Sequence, residues 1–297
     1  MLILCLNEHF YIEISFRRRC IMDLKTKSKT YNLNARTHIM GILNITPDSF
    51  SDGGNYNSIE KAILQAKKME EEGADIIDIG GESTRPDHDP VEVEEEIKRV
   101  VPVIEALKEE INIPISIDTY KSETAKQAIE AGADIINDIW GAKHDPDMAD
   151  VAATYEVPII LMHNRTNKNY ESLIEDIVTD LQQSIDIVKR AGVEDRNIIL
   201  DPGVGFAKEL EDNYVVMRHL DKIIQRLPYP LLLGTSRKSF ISKILDVPPK
   251  ERDNATGATT CLGILKGAHI VRVHDVKRTV ELSKMMDAMV KGVGVSG

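Results

Sequence analysis

Two hydrophobic periods alternate along this chain. From about His38 onward, short β-branched runs separate longer stretches whose apolar residues recur every three or four positions. The runs are IMGILN (39–44), DIIDIG (75–80), PISID (114–118), DIIND (134–138), VPIILMH (157–163), NIILDPG (197–203), YPLLLGTS (229–236) and HIVRVH (269–274). They are nearly continuous rather than alternating, as parallel strands covered on both faces require. The stretches between them read as helices. In SIEKAILQAKKMEEEG, Ile59, Ala62, Ile63, Ala66 and Met69 form one apolar stripe; Ser58 is the expected N-cap and Gly73 the expected residue just past the C-cap.

The joints repeat. EEGADIIDIG, EAGADIINDI and KGAHIVRVHD each read helix end, Gly-Ala, strand, polar residue. Gly73, Gly132 and Gly267 occupy equivalent places, and five residues after each stand Asp78, Asn137 and Arg272. Eight strand–helix units in about 250 residues are the count and length of a (β/α)8 TIM barrel, an α/β fold. The expected organisation is an N-terminal extension over residues 1–35, poorly ordered or a short strand pair, followed by one barrel over residues 36–297. A doubly wound open sheet is the alternative, but no GxGxxG loop follows the first strand.

Composition narrows the function classes. The 297 residues carry a net charge of −11, which argues against a general nucleic-acid surface. Cys5, Cys20 and Cys261 form no CxxC pair, which fits a reducing cytoplasm better than a disulfide scaffold or a thiolate metal site. The opening MLILCL is too short for a membrane span and lacks the flanks of a signal peptide.

Chemistry in a TIM barrel collects where the strands end. Asn44, Asp118, Asn137, Asp138, His163, Asp201, Arg272 and His274 lie at or near those ends, and SRKSF (236–240) follows the seventh strand. One polar strand end is ordinary, since loops begin there; polar groups at nearly every end mark an active face. Asp118, Asn137 and Asp201 suit the N–H-rich edge of a purine, pterin or guanidine-like ligand. The plain alternative for Asp201 is turn chemistry before Pro202-Gly203. Arg272 and His274, with Asn44 on the neighbouring strand, suit phosphate oxygens. Metal ligation by His163 and His274 is the rival reading, without an HxH or HExxH pattern to support it. Ser236–Phe240 reads as an anion-holding helix start with a hydroxyl from Ser239, or simply as a solvated one. Lys238 is a charge partner or a Schiff-base lysine.

The stretch ILNITPDSFSDGG (42–54) runs from an apolar strand into a polar, glycine-closed loop. Together with DIGGESTRP, SIDTYK, NDIWG, LMHNR, DPGVGFAK, GTSRKSF and RVHD, in that order over residues 40–275, it makes the chain resemble the dihydropteroate synthase family of pterin-binding enzymes. That resemblance implies a folate-pathway transferase joining a dihydropterin diphosphate to para-aminobenzoate. It implies pterin contacts from Asp118, Asn137, Asp201 and Lys238, with Met162 and Phe206 also among the substrate-binding residues. Asn44, Arg272 and His274 would hold the diphosphate, with Mg²⁺ bound partly by Asn44. Phe50 and Asp52 would reach the reaction centre from the first loop and form the catalytic set with Asp118 and Lys238. Thr84, Arg85 and Pro86 would enclose para-aminobenzoate, with Ser239 at its carboxylate.

The implied mechanism is dissociative substitution without a covalent enzyme intermediate. The resemblance also implies a cytoplasmic homodimer, sulfonamide sensitivity, and no nucleic-acid or membrane partner. A pterin-binding methyltransferase would lack the two loops and SRKSF with RVHD. A degenerate binding module would show damaged motifs, and a TIM-class metal hydrolase would need a histidine cluster.

Overall fold

Strands that are apolar on both faces must be covered on both, and rolling the sheet into a barrel lets its own side chains fill one side. A computed structural model describes residues 22–45, 55–82 and 90–292. It opens with a short antiparallel pair, β1 (Asp23–Lys25) and β2 (Thr30–Asn32). Eight parallel strands follow: β3 (His38–Asn44), β4 (Ile76–Gly80), β5 (Ile115–Asp118), β6 (Ile135–Asp138), β7 (Ile159–Met162), β8 (Ile198–Asp201), β9 (Leu232–Leu233) and β10 (Ile270–Val273). β3 lies between β4 and β10, and a parallel bridge from Leu200 to Leu231 brings β8 against the start of β9. The sheet is therefore closed, as a barrel and not as a doubly wound sheet. Seven of the apolar runs contain one strand each, and β3 begins one residue before its run, at His38.

The helices are α1 (Asn55–Glu71), α2 (Val93–Lys108), α3 (Ser122–Ala131), α4 (Met148–Thr154), α5 (Leu173–Ala191), α6 (Leu210–Arg218), α7 (Leu220–Arg226), α8 (Ser239–Leu245), α9 (Asp253–Leu265) and α10 (Val276–Lys291). One expectation is corrected. α1 begins at Asn55, so Ser58 lies inside the helix and is not its N-cap. The Asn-Tyr-Asn before Ser58 contains no proline or glycine to stop the helix there, and it extends one turn further back. The glycine joints do end helices. Gly73 has φ +100°, its N–H donates to Glu70 O at 3.0 Å, and Ala74 N–H donates to Met69 O at 2.9 Å. That paired pattern needs a left-handed residue, which glycine adopts without cost to a side chain.

Successive strand residues point to opposite sides. Ile39, Leu43, Ile77, Ile79, Ile117, Ile136, Ile159, Leu161, Leu200, Leu233 and Val271 pack in one cluster with the helices. Met40, Ile76, Ile135, Ile160, Ile199, Leu232 and Ile270 form a second cluster, the lower layer of the barrel interior, together with Leu24 and Leu33. The β1–β2 hairpin thus plugs the N-terminal end of the barrel. Arg36 fixes it there: Nη1 and Nη2 donate to Asp75 at 2.8 and 2.5 Å, and Tyr31 Oη donates to Asp75 O at 2.8 Å.

Leu24→Ala should then cost about 2–5 kcal/mol, the usual range for a cavity opened in a closed core. Urea denaturation reads it; a midpoint equal to the parent's would show that the hairpin is not part of that core.

Candidate active site

Two residues above four of the apolar interior positions comes a polar one; above Met40, Ile160 and Leu232 stand Ile42, Met162 and Gly234. Ile76 leads to Asp78, Ile135 to Asn137, Ile199 to Asp201 and Ile270 to Arg272; Ser116 pairs in register with Asp78. The three residues at equivalent places in the repeated joints meet at one point. Arg272 Nε donates to Asp78 Oδ2 at 2.5 Å, Arg272 Nη2 donates to Asp118 Oδ2 at 2.5 Å, and Asn137 Nδ2 donates to Asp78 Oδ2 at 3.1 Å. The second oxygens, Asp78 Oδ1 and Asp118 Oδ1, and the hydroxyl of Ser116 are buried without a hydrogen-bond partner among the described residues. One guanidinium thus serves two carboxylates. Burial pushes the Asp118 carboxyl up to about 7; Arg272 opposes the shift and the charge of Asp78 reinforces it.

Beside this triad stands a second charged pair. Asp201 is buried, and its Oδ1 accepts from Gly203 N–H at 2.7 Å. Burial raises its carboxyl above the ordinary range, against the pull of Lys238. The Lys238 ammonium is lowered to about 8 by the same burial, with Asp201 opposing. Its Nζ donates to Val204 O and lies 4.6 Å from the centre of the Phe206 ring. Met162 is buried and is the register partner of Asp201. A Cβ placed on Gly234 would sit 3.7 Å from Asp201 Oδ2 and 3.9 Å from both Arg272 Cβ and Lys238 Nζ, so glycine there leaves room between the two charged groups.

Of the three diphosphate candidates, Asn44 and His274 occupy the rim, whereas Arg272 lies inside on Asp78 and Asp118. Asn44 is exposed at the end of β3. His274 follows β10; its Nδ1 and backbone N–H meet Ser236 Oγ at 2.9 and 3.2 Å. Asn44 and His274 share a cleft of about 540 Å³ with Lys61, Lys68 and Arg237. Arg237 is already held by Asp253 through two bonds of 2.7 Å. Ser239 is the exposed first residue of α8.

Not every strand-end residue belongs to the mouth. The Asp138 carboxylate accepts the N–H groups of Trp140 and Ala142 at 2.8 and 2.6 Å, which is turn chemistry. His163 is fully buried against Asp180 and Lys208, far from sharing a ligand with His274 at Ser236. Among the described residues no group of three His, Cys, Asp or Glu side chains could hold a metal. Phe50, Asp52, Thr84, Arg85 and Pro86 lie outside the described residues. Asp78 was not among the expected site residues although it anchors Arg272; its signal was its place in the repeated joint.

The model of the family described as pterin binding enzyme matches residues 40–274. A dihydropteroate synthase of Bacillus subtilis is 57% identical over 272 residues, covering 92% of this chain and 95% of the relative. The chain belongs to the dihydropteroate synthase family of pterin-binding enzymes. A solved dihydropteroate synthase from Clostridium difficile, crystallised in the presence of pteroic acid, superposes with a TM-score of 0.84 at 51% identity, covering 86% of this chain and 97% of its own. The Xanthomonas albilineans dihydropteroate synthase with 4-aminobenzoic acid gives 0.86 at 38% identity, covering 91% and 98%.

The raised Asp118 carboxyl sets a pH dependence for the protein without substrate. Between the ordinary carboxylate range and about 7, the folded state binds a proton that the unfolded chain has released. Stability from this group is complete below that range and is lost as pH rises through it. Asp118→Asn should flatten the fall, by at most about 1.4 kcal/mol per pH unit. Urea denaturation across that interval measures it, and identical slopes in parent and variant would contradict the shift.

Proposed function

We propose that this barrel mouth condenses 6-hydroxymethyl-7,8-dihydropterin diphosphate with para-aminobenzoate, releasing diphosphate and forming 7,8-dihydropteroate. The chain is a transferase of folate biosynthesis by its family, and the rival methyltransferase and binding-module readings are not favoured. One observation supports the assignment of the site: three buried carboxylates, one amide and two cations converge on the interior at the C-terminal ends of the strands.

Each has a role that its chemistry allows. Asp201 accepts the amino and amide protons of the pterin, Lys238 donates to the ring carbonyl, and Asn137 does either. Met162 and Phe206 supply apolar contact to the flat ring. Asn44, Arg272 and His274 take the diphosphate, and Ser239 takes the carboxylate of para-aminobenzoate. Phe50, Asp52, Thr84, Arg85 and Pro86 are proposed for the two loops on the strength of the family pattern.

The charges favour a dissociative course. As the diphosphate leaves the exocyclic methylene, positive charge spreads into the ring, and Asp78, Asp118 and Asp201 outnumber Arg272 and Lys238 by one negative charge to meet it. The aniline nitrogen then attacks the methylene carbon and gives up one N–H proton to the departed diphosphate or to water. Lys238, tied to Val204 O and beside Asp201, is placed to donate and not to form a Schiff base.

The rim fits Mg²⁺ in kind. Asn44 offers one hard oxygen at an open cleft, leaving the remaining positions to diphosphate oxygens and water, as Mg²⁺ prefers. Bound there, the ion would neutralise charge on the departing diphosphate. A homodimer is proposed as well: Leu265 on α9 and Met285, Met289 and Val290 on α10 are large exposed apolar residues on two helices that pack together. Cysteine usage supports a cytoplasmic place; among the described residues no helix is long and apolar enough to cross a membrane.

Incubation with the dihydropterin diphosphate, para-aminobenzoate and Mg²⁺ should yield dihydropteroate; no product would overturn the proposal. Asp201→Ala should weaken pterin binding by about 1.5–3 kcal/mol, the worth of a charge-assisted bond. Calorimetry with a pterin ligand reads it, and unchanged affinity would remove Asp201 from the site. Sulfonamides should compete with para-aminobenzoate in steady-state kinetics; non-competitive inhibition would place that second substrate elsewhere.

A further inference from the structure

Behind the mouth lies a buried cluster to which the proposed reaction gives no task. Lys208 is only 6% exposed and His163 is completely buried. Lys208 Nζ reaches His163 Nδ1 at 2.9 Å, Gly203 O at 2.9 Å and Phe206 O at 3.1 Å. An ammonium has three N–H donors, and here each has an acceptor. His163 Nδ1 therefore accepts, so its proton sits on Nε2 and is donated to Asp180 Oδ2 at 3.0 Å. Arg165 Nε donates to the same carboxylate oxygen and makes Asp180 a fixed anion. The histidine tautomer is thus set from both sides.

The segment this cluster grips is Asp201–Lys208. Gly203 has φ +66°, and a Cβ there would lie 2.0 Å from His163 O. Ala207 is also left-handed at φ +45°, a conformation that is strained for a non-glycine residue. Tyr170 Oη donates to Ala207 O at 2.7 Å, and the turn delivers Lys208 back under the loop. The carbonyls of Gly203 and Phe206 point to Lys208, while that of Val204 points to Lys238. Two lysines thus hold one loop from opposite sides.

We propose that Lys208, oriented by His163 and Asp180, is a positioning residue for the pterin substrate: from behind, it fixes the loop that presents Asp201 and Phe206, with Lys238, to the ring. This rests on reading the mouth as the pterin site. Removing the ammonium leaves Phe206 O and His163 Nδ1 without a donor and Gly203 O with only the Phe206 N–H at 3.0 Å, so the loop repacks around them and takes Phe206 and Val204 with it. Lys208 touches neither the rim residues Asn44 and His274 nor Ser239, so the effect falls on one substrate. The charged groups facing the cluster are Asp201, Lys238, Asp212 and Arg165 around Lys208, and Asp180 and Lys143 around His163.

The test begins with the parent enzyme, whose failure to form dihydropteroate would strike the functional reading itself. Given activity, Lys208→Met should weaken a pterin analogue by about tenfold or more in calorimetry and raise the KM for the pterin diphosphate similarly. The KM for para-aminobenzoate, at saturating pterin diphosphate, should stay within about twofold. His163→Asn, which keeps an acceptor near the Nδ1 position, should lose less pterin affinity than His163→Leu. Equal losses for both substrates, or unchanged pterin affinity in folded Lys208→Met, overturn the proposal. If that variant does not fold, ¹⁵N-histidine spectra of the parent decide. His163 should show a bare Nδ1 whose resonance moves when the pterin analogue binds and not when diphosphate binds; a protonated Nδ1 or a resonance indifferent to pterin overturns it.

Discussion

Arg272 between Asp78 and Asp118 is the interaction on which this site depends. It joins three strands, β4, β5 and β10, across the inside of the barrel through two bonds of 2.5 Å. Burying charges is costly, and a group of this kind is retained where position matters more than stability. Here the cost is greater than for a simple pair, because one cation faces two anions and each carboxylate keeps an oxygen without a partner among the described residues. Taking away the arginine would leave two carboxylates uncompensated, which is far worse than never having built the group. The closed sheet supplies the registers that bring the three side chains together, and Gly80 and Gly234 keep space open beside them.

The fold was legible because its code is local. Apolar runs of strand length, separated by helical periods and stopped by Gly-Ala joints, locate all eight strands. The repeat even pointed to Asp78, Asn137 and Arg272 as equivalents, and the structure brings them into contact. What the pattern could not carry was strand parity. Asp138 and His163 end their strands as Asn137 and Met162 nearly do, yet one residue of offset turns them away from the interior, to a turn and to α5. Asp78 lies within its strand, where a buried acid has no local explanation, and only a partner 194 positions away accounts for it. The role of Leu24 and Leu33 as the floor of the barrel is likewise a long-range matter, invisible in a segment that reads as a loose extension or a short strand pair.

Floor and mouth divide the interior by chemistry. Below, Met40, Ile76, Ile135, Ile160, Ile199, Leu232 and Ile270 meet the hairpin in an apolar plug. Above, the next inward layer carries Asp78, Ser116, Asn137, Asp201 and Arg272 beside Ile42, Met162 and Gly234. The plug closes one end and keeps water out from beneath, so the charged layer works in a medium where its fields are weakly screened. The same weak screening explains why Asp118 rises to about 7 and Lys238 falls to about 8: each is penalised for its charge and only partly repaid by its neighbours.

That penalty bears on how such a site would select a transition state. With a neutral pterin in place, the surplus carboxylate is an expense. As the bond to diphosphate lengthens, the ring acquires the positive charge that the layer lacks. The surplus then becomes attraction, at a point where the carboxylates are already fixed and need no reorientation. Because the gain exists only while the ring is cationic, it lowers the barrier without deepening the ground-state complex to the same extent. A pocket with balanced charges would bind the neutral substrate as well and lack this attraction for the cation. The unpaired negative charge that weakens the fold is the same charge that would serve the reaction.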